Sequence, residues 1–312
     1  MKKEYILVID SGLGGMSVLL NLKNHFPTEN FIYVLDNFYS PYGNKSKSEL
    51  IKISINLVKK YINNFNLKLI IFACNTLTSV AIEKTREFIE NQRIKTLKKL
   101  LTCKKILCDR KLLFSTIKFE KMLAKLNIVG TEPPIKQVSE NEKTLILSTK
   151  QTLKHNKTLK LYRHNKNFTF LALENVAKLL DENFFNREKI VESLKKQIKV
   201  KNYKNVVLGC THYYFLIEQI KKVLKNCNLK FFTAQDGILK RVKFLLDKNY
   251  DENIDKNMGI KFNKNVSKNI DKIASKNVDK NVAKFQKFGE IKLFLTKKDK
   301  KLSSVAKTLL EV

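Results

Sequence analysis

Residues 4–15 read Glu-Tyr-Ile-Leu-Val-Ile-Asp-Ser-Gly-Leu-Gly-Gly, an apolar run that stops at Asp10 and gives way at once to a glycine-rich turn. A helical pattern over 16–24 follows, and residues 31–35 repeat the strand signal, closing on Asp36. Beyond the turn at Pro41-Tyr42-Gly43, residues 46–62 have the spacing of an amphipathic helix, 67–73 that of a buried strand, and 78–91 that of a second helix. Strands that alternate with helices are joined by crossovers, so the pattern predicts an α/β architecture on mostly parallel sheets.

Order weakens over 91–126, where eleven basic residues meet two acidic ones and Cys103 and Cys108 appear; we read this as a lysine-rich insertion. Strand signals resume at 127–130, 144–147, 168–173 and 205–208, with a helix predicted over 187–199. A second low-complexity stretch covers 248–288, where Lys-Asn-(Val/Ile/Met) recurs at 256, 264, 268, 276 and 280. Asn and Val are weak helix formers, so a solvated insertion is expected there. Ordinary periodicity returns over 290–312.

The chain has 312 residues, 43% of them hydrophobic, enough for one large domain or two of ordinary size. Its apolar stretches, such as 69–74, are of strand length, far short of the about 20 residues of a transmembrane helix. Asp10 interrupts the first apolar run too early for a signal peptide. Five cysteines, an odd number, argue for reduced thiols in a cytoplasm rather than a disulfide scaffold. The formal charge of +32 invites a nucleic-acid reading, yet 55 of the 61 basic residues are lysine and only six arginine. Direct readers of bases and phosphates favour arginine's planar fork, so specific nucleic-acid binding is not expected. The charge should still raise non-specific adhesion to polyanions and speed encounter with anionic small molecules.

Nine glycines and four prolines serve the whole chain, and six of the glycines and three of the prolines fall in five short segments at or near predicted strand ends. In open α/β sheets that edge is where ligands bind. Two of these junctions repeat one device. Ala73-Cys74-Asn75-Thr76 ends one buried strand, and Gly209-Cys210-Thr211-His212 ends another, 136 residues later. Each places a cysteine where a helix begins, a position that favours thiolate and offers free backbone N–H groups to a carboxylate. Two thiols from two similar halves can face each other across a small substrate. One removes a proton from a carbon and the other returns one to the opposite face, which inverts a stereocentre without a cofactor. A free thiol has a pKa of about 8.5 and needs activation, for which Asp10 and His212 are the local candidates.

These segments resemble glutamate racemases, of the aspartate/glutamate racemase superfamily. The resemblance rests on Asp10-Ser11-Gly12-Leu13-Gly14-Gly15, Pro41-Tyr42-Gly43, Ala73-Cys74-Asn75-Thr76 and Leu208-Gly209-Cys210-Thr211-His212-Tyr213, with a looser match at Val129-Gly130-Thr131-Glu132-Pro133. It implies cofactor-independent interconversion of L- and D-glutamate, supplying D-glutamate for peptidoglycan, by an enzyme that is a homodimer. It also implies Cys74 and Cys210 as the acid/base pair, assisted by Asp10 and His212. Asp10, Ser11, Tyr42, Gly43, Asn75, Thr76, Thr211 and His212 would hold the substrate, with Thr149 and Thr152 at the family's threonine-rich turn. Aspartate racemases tend to carry Glu where His212 stands. The family's acidic residue beyond 175–177 corresponds to Asp181 or Glu182. Tyr214 stands where proline is usual, Leu77 where a small residue is usual, Asn175-Val176-Ala177 where Phe-Val-Pro is usual, and 91–126 exceeds the family's short connection. The expected fold is two pseudo-symmetric α/β domains with the active site in the cleft between them. The first covers 1–126, the second 127–233, and 234–312 returns to the first.

A dinucleotide fingerprint fails because its third glycine would be Ser17, and Asp10 would repel a pyrophosphate. Cys103 and Cys108 lack the further ligands of a zinc site, so no metal is expected. A basic non-catalytic protein that binds nucleic acid through its insertions, and an aspartate or related diacid racemase, are the alternatives in function.

Overall fold

β1 (Tyr5–Asp10) is apolar on both faces because it is the middle strand of a sheet covered on both sides. The computed structural model describes residues 3–199, 202–246 and 289–311. In chain order there follow α1 (Met16–His25), β2 (Phe31–Leu35), α2 (Lys47–Asn64), β3 (Leu67–Phe72), α3 (Asn75–Thr102), α4 (Lys104–Cys108), α5 (Arg110–Lys125) and β4 (Asn127–Gly130). The second half holds β5 (Thr144–Ser148), α6 (Lys150–His155), α7 (Lys157–Leu161), β6 (Phe168–Ala172), α8 (Val176–Glu182), α9 (Glu188–Gln197), β7 (Asn205–Gly209), α10 (Ile217–Leu224) and β8 (Lys230–Phe232). The chain closes with α11 (Gln235–Leu246), β9 (Ile291–Leu295) and α12 (Lys300–Leu310).

Two sheets result, ordered β4-β3-β1-β2-β9 and β6-β5-β7-β8, and every strand pair in both is parallel. The α/β class and the pair of parallel sheets are those expected. Alternation along β1 divides the interior: Leu7 and Ile9 pack with Leu50, Ile53 and Leu57 of α2 and Leu77 and Ala81 of α3. Ile6 and Val8 join the other layer, which runs on through Leu145, Leu147, Val206 and Leu208 of the second sheet to Val305 of α12. One continuous apolar cluster therefore ties the two sheets together. α2 starts where the sequence signals it, because Ser46 and Glu49 form a capping box.

Two expectations need correction. Residues 91–126 are helical: α3 runs on to Thr102, and α5 packs back along it, with Arg93 Nε donating to Glu120 Oε1 at 3.1 Å. Lysine and leucine are good helix formers, so a composition shift is not a loss of order. Residues 127–130, assigned from sequence to the second domain, form β4 and pair with β3 at the edge of the first sheet. The return of the C-terminal region to the first sheet is made by β9 alongside β2. The expected insertion at 248–288 lies outside the described residues.

Candidate active site

Both cysteines sit where a strand hands over to a helix. Cys74 is the residue before α3, and Cys210 precedes a 3-10 helix, Thr211–Leu216. The first N–H groups of a helix have no partner within it, and those of Thr76 and Leu77 pull the Cys74 thiol down towards thiolate. Burial nevertheless dominates and, with the Asp10 charge beside it, pushes the Cys74 thiol well above its ordinary range. The thiolate-favouring effect expected of a helix start is thus outweighed at Cys74, because desolvation acts on the whole charge.

Asp10 ends β1 fully buried. Its Oδ1 accepts from the Ser11 N–H at 2.6 Å and its Oδ2 from the Thr211 hydroxyl at 2.9 Å, a bond that joins the two halves. Burial raises its pKa to about 6, against the pull of His212 and these hydrogen bonds. The His212 Nε2–H donates to Asp181 Oδ1 at 3.1 Å, and its Nδ1 lies 3.8 Å from Cys210 Sγ. Burial disfavours its imidazolium, but Asp181 and Cys210 together outweigh that and hold its pKa well above the usual histidine value.

The glycines of the first turn let this network close. A Cβ on Gly12 would lie 2.6 Å from His212 Nε2 and collide with the Asp181 carboxylate, and one on Gly14 would meet Thr211 Oγ1 at 2.6 Å. The Tyr33 hydroxyl donates to the Gly12 carbonyl at 2.7 Å and fixes the turn from below.

A cavity of about 390 Å³ opens between the halves, lined by Cys74, Cys210, Ser11, Tyr42, Gly43, Thr76, Thr149 and His212, among others. Thr76 Oγ1 lies 2.8 Å from Thr149 Oγ1 and 3.2 Å from Thr152 Oγ1, so these hydroxyls also bridge the halves, although Thr152 is behind the wall. The Tyr42 hydroxyl donates to Asp36 Oδ2 at 2.6 Å, which commits it away from the cavity. Asn75 and Thr211 border a separate small space behind Cys210, where Asn75 Oδ1 and the Thr233 hydroxyl are buried without a protein partner. Asp10 does not line the cavity either; it acts from beneath it.

The structure also separates Asp181 from Glu182. Asp181 is buried on His212 and accepts the Leu13 N–H at 3.0 Å, whereas Glu182 is exposed and pairs with Lys178 at 3.8 Å. Lys150, Gln151, Glu174 and Lys178 line the cavity without having been singled out by sequence, and Asn175 and Tyr213, named there only within longer segments, line it too. Two more lysines among 55 carry no signal of their own. Among the described residues, no group of three or more His, Cys, Asp or Glu side chains could hold a metal ion. None of the described helices is long and apolar enough to cross a membrane.

The glutamate racemase of Clostridium botulinum strain Alaska E43 is 30% identical to this chain over 234 residues, 72% of this chain and 76% of the relative. The chain belongs to the glutamate racemase family. The glutamate racemase of Clostridium acetobutylicum is 28% identical over 268 residues, 83% of this chain and 90% of that racemase. No family model matches the chain. Among solved structures, the glutamate racemase of Francisella tularensis in complex with D-glutamate superposes with a TM-score of 0.65 at 21% identity, covering 100% of this chain and 95% of the other. That likeness extends the family's fold over both sheets.

Proposed function

We propose that this racemase-family protein interconverts L- and D-glutamate by moving the α-proton between Cys74 and Cys210. The observation that carries the reading is that both sulfurs reach one cavity from the ends of strands in two different sheets. One thiolate takes the proton from Cα, and the electron pair of the broken C–H bond is left on carbon, spread into the adjacent carboxylate. The opposite thiol then delivers its proton to the other face of the same carbon and becomes the thiolate. Nothing is oxidised or reduced, and the two cysteines end with their protonation exchanged.

His212, held protonated by Asp181, is placed to donate a hydrogen bond to anionic Cys210 or to return its proton. Asp10 is the carboxylate whose charge acts most strongly on Cys74 and serves as its proton acceptor. Substrate carboxylates would be held by the free N–H groups at the start of α3 and of the 3-10 helix, and by the Ser11, Thr76 and Thr149 hydroxyls. Asn75 and Thr211 contribute backbone rather than side chain, since their side chains face the space behind Cys210. Tyr42 and Gly43 form a wall, and Lys150 and Lys178 add positive charge for a diacid. On this reading the enzyme works in the cytoplasm as a homodimer and supplies D-glutamate for peptidoglycan, a role that the resemblance to glutamate racemases supports.

The test is incubation of the reduced protein with L-glutamate in D2O without added cofactor, following optical rotation and the α-proton by NMR. Rotation should decay to zero as deuterium replaces the α-proton. A folded protein that exchanges aspartate but not glutamate would reassign the substrate, and exchange of neither would remove the reading.

A further inference from the structure

α3 leaves the cavity edge at Asn75 and is 28 residues long, about 42 Å. β3, which it has to run back along, is six residues and about 20 Å. The last α3 side chain in the sheet's apolar core is Ile89. The rest of α3 overshoots the sheet on the side away from the cavity, and α4 and α5 fold back on it before β4 begins. The result is a helical arm projecting opposite the active site.

Its tip has two properties that need a common explanation. Leu101, Leu107 and Phe114, one from each helix, are 78%, 48% and 71% exposed. Around them Lys98, Lys99, Lys104, Lys105, Arg110 and Lys111 are all exposed, and none is in an ion pair among the described residues. The one carboxylate in that stretch, Asp109, is engaged as the cap of α5, accepting from the N–H groups of Lys111 and Leu112 at 2.9 and 3.0 Å. Lys111 and Lys118 lie one turn either side of Phe114, so cations flank the exposed ring on its own helix face.

We infer that the arm tip docks on an anionic lipid bilayer surface, with Leu101, Leu107 and Phe114 entering the headgroup boundary and the cations on the phosphates. Basic charge that flanks exposed leucine and phenylalanine is what an interfacial element presents. A second copy of the chain would set this charge against itself. A nucleic acid would leave the three apolar side chains without a role, and only one arginine is on the tip. The arm attaches peripherally, leaving the cavity open on the opposite side.

Sedimentation of the full chain with phosphatidylglycerol vesicles, against phosphatidylcholine vesicles, at physiological salt tests this. Binding is expected to the anionic vesicles alone, at least tenfold weaker for a Leu101→Ser, Leu107→Ser, Phe114→Ser triple variant whose circular dichroism is unchanged. The chain contains no tryptophan, so Phe114→Trp places a single indole on the tip, and its emission should shift to the blue on anionic vesicles. Undiminished binding by the triple variant, with no blue shift, would mean diffuse adhesion by a chain of charge +32 and overturn the proposal. Absence of vesicle binding would overturn it too. So would loss, in the triple variant, of double-stranded DNA binding or of a dimer in sedimentation velocity while vesicles are ignored, pointing to those partners instead.

Discussion

Replacing Asp10 by asparagine is expected to stabilise the fold at neutral pH while removing activity. The carboxyl is fully buried at the end of β1, and burial lifts its pKa to about 6 from an ordinary 3.8. A folded value above the unfolded one means the fold is fully favoured, as far as this group is concerned, below pH 3.8, and loses stability as pH rises towards 6. The loss works out at about 1 kcal/mol near pH 4.5 and about 3 kcal/mol near pH 7.5. Asparagine does not titrate, and it gives up about 1 kcal/mol of hydrogen bonding to Ser11 and Thr211 at every pH. Asp10→Asn should therefore match the parent near pH 4.5 and exceed it by about 2 kcal/mol near pH 7.5. Urea unfolding followed by circular dichroism across this range measures the difference directly. A difference between the two proteins that stays flat with pH would refute the argument that Asp10 is charged and desolvated in the folded state.

Cys74→Ser and Cys210→Ser should each lower racemisation by about a hundredfold or more, assayed from both glutamate enantiomers; near-normal turnover in both directions by either variant would end the two-base scheme. Asp181→Asn removes the carboxylate that holds His212 protonated, so the imidazole signal in an NMR titration should move from well above the usual histidine range down towards it, with activity falling alongside. The stability that His212 draws from Asp181 is present below the unfolded histidine value of 6.5 and lost as pH rises through the higher folded value, so this variant's deficit should be largest in acid. Gly12→Ala sets a methyl against the Asp181 carboxylate and His212, and should cost about 1–3 kcal/mol in urea unfolding. A fully stable Gly12→Ala protein would show that the turn has room to move.

Much of the fold was legible because its signals are local. Asp10 followed by three glycines in five residues, the apolar runs of β1, β2, β3, β5 and β7, and the two cysteine junctions can be read without knowing what they touch. What failed depended on partners elsewhere. The helical order of 91–126 escapes a sequence reading because its lysines hide an amphipathic pattern that matters only once α5 lies along α3. β4 was assigned to the wrong side because a four-residue strand does not announce which sheet edge it will join.

By itself the sequence determined the α/β class, the family resemblance and the pair of thiols, since residue type and short spacing suffice for these. Only the tertiary structure decided that Asp181 rather than Glu182 supports His212, because the choice rests on which side chain is buried against a loop 168 residues away. It also decided that burial outweighs the helix start at Cys74, and that Asp10 and Thr211 join the halves beneath the cavity. Desolvation and contact across 201 residues are properties of packing, and no local spacing encodes them.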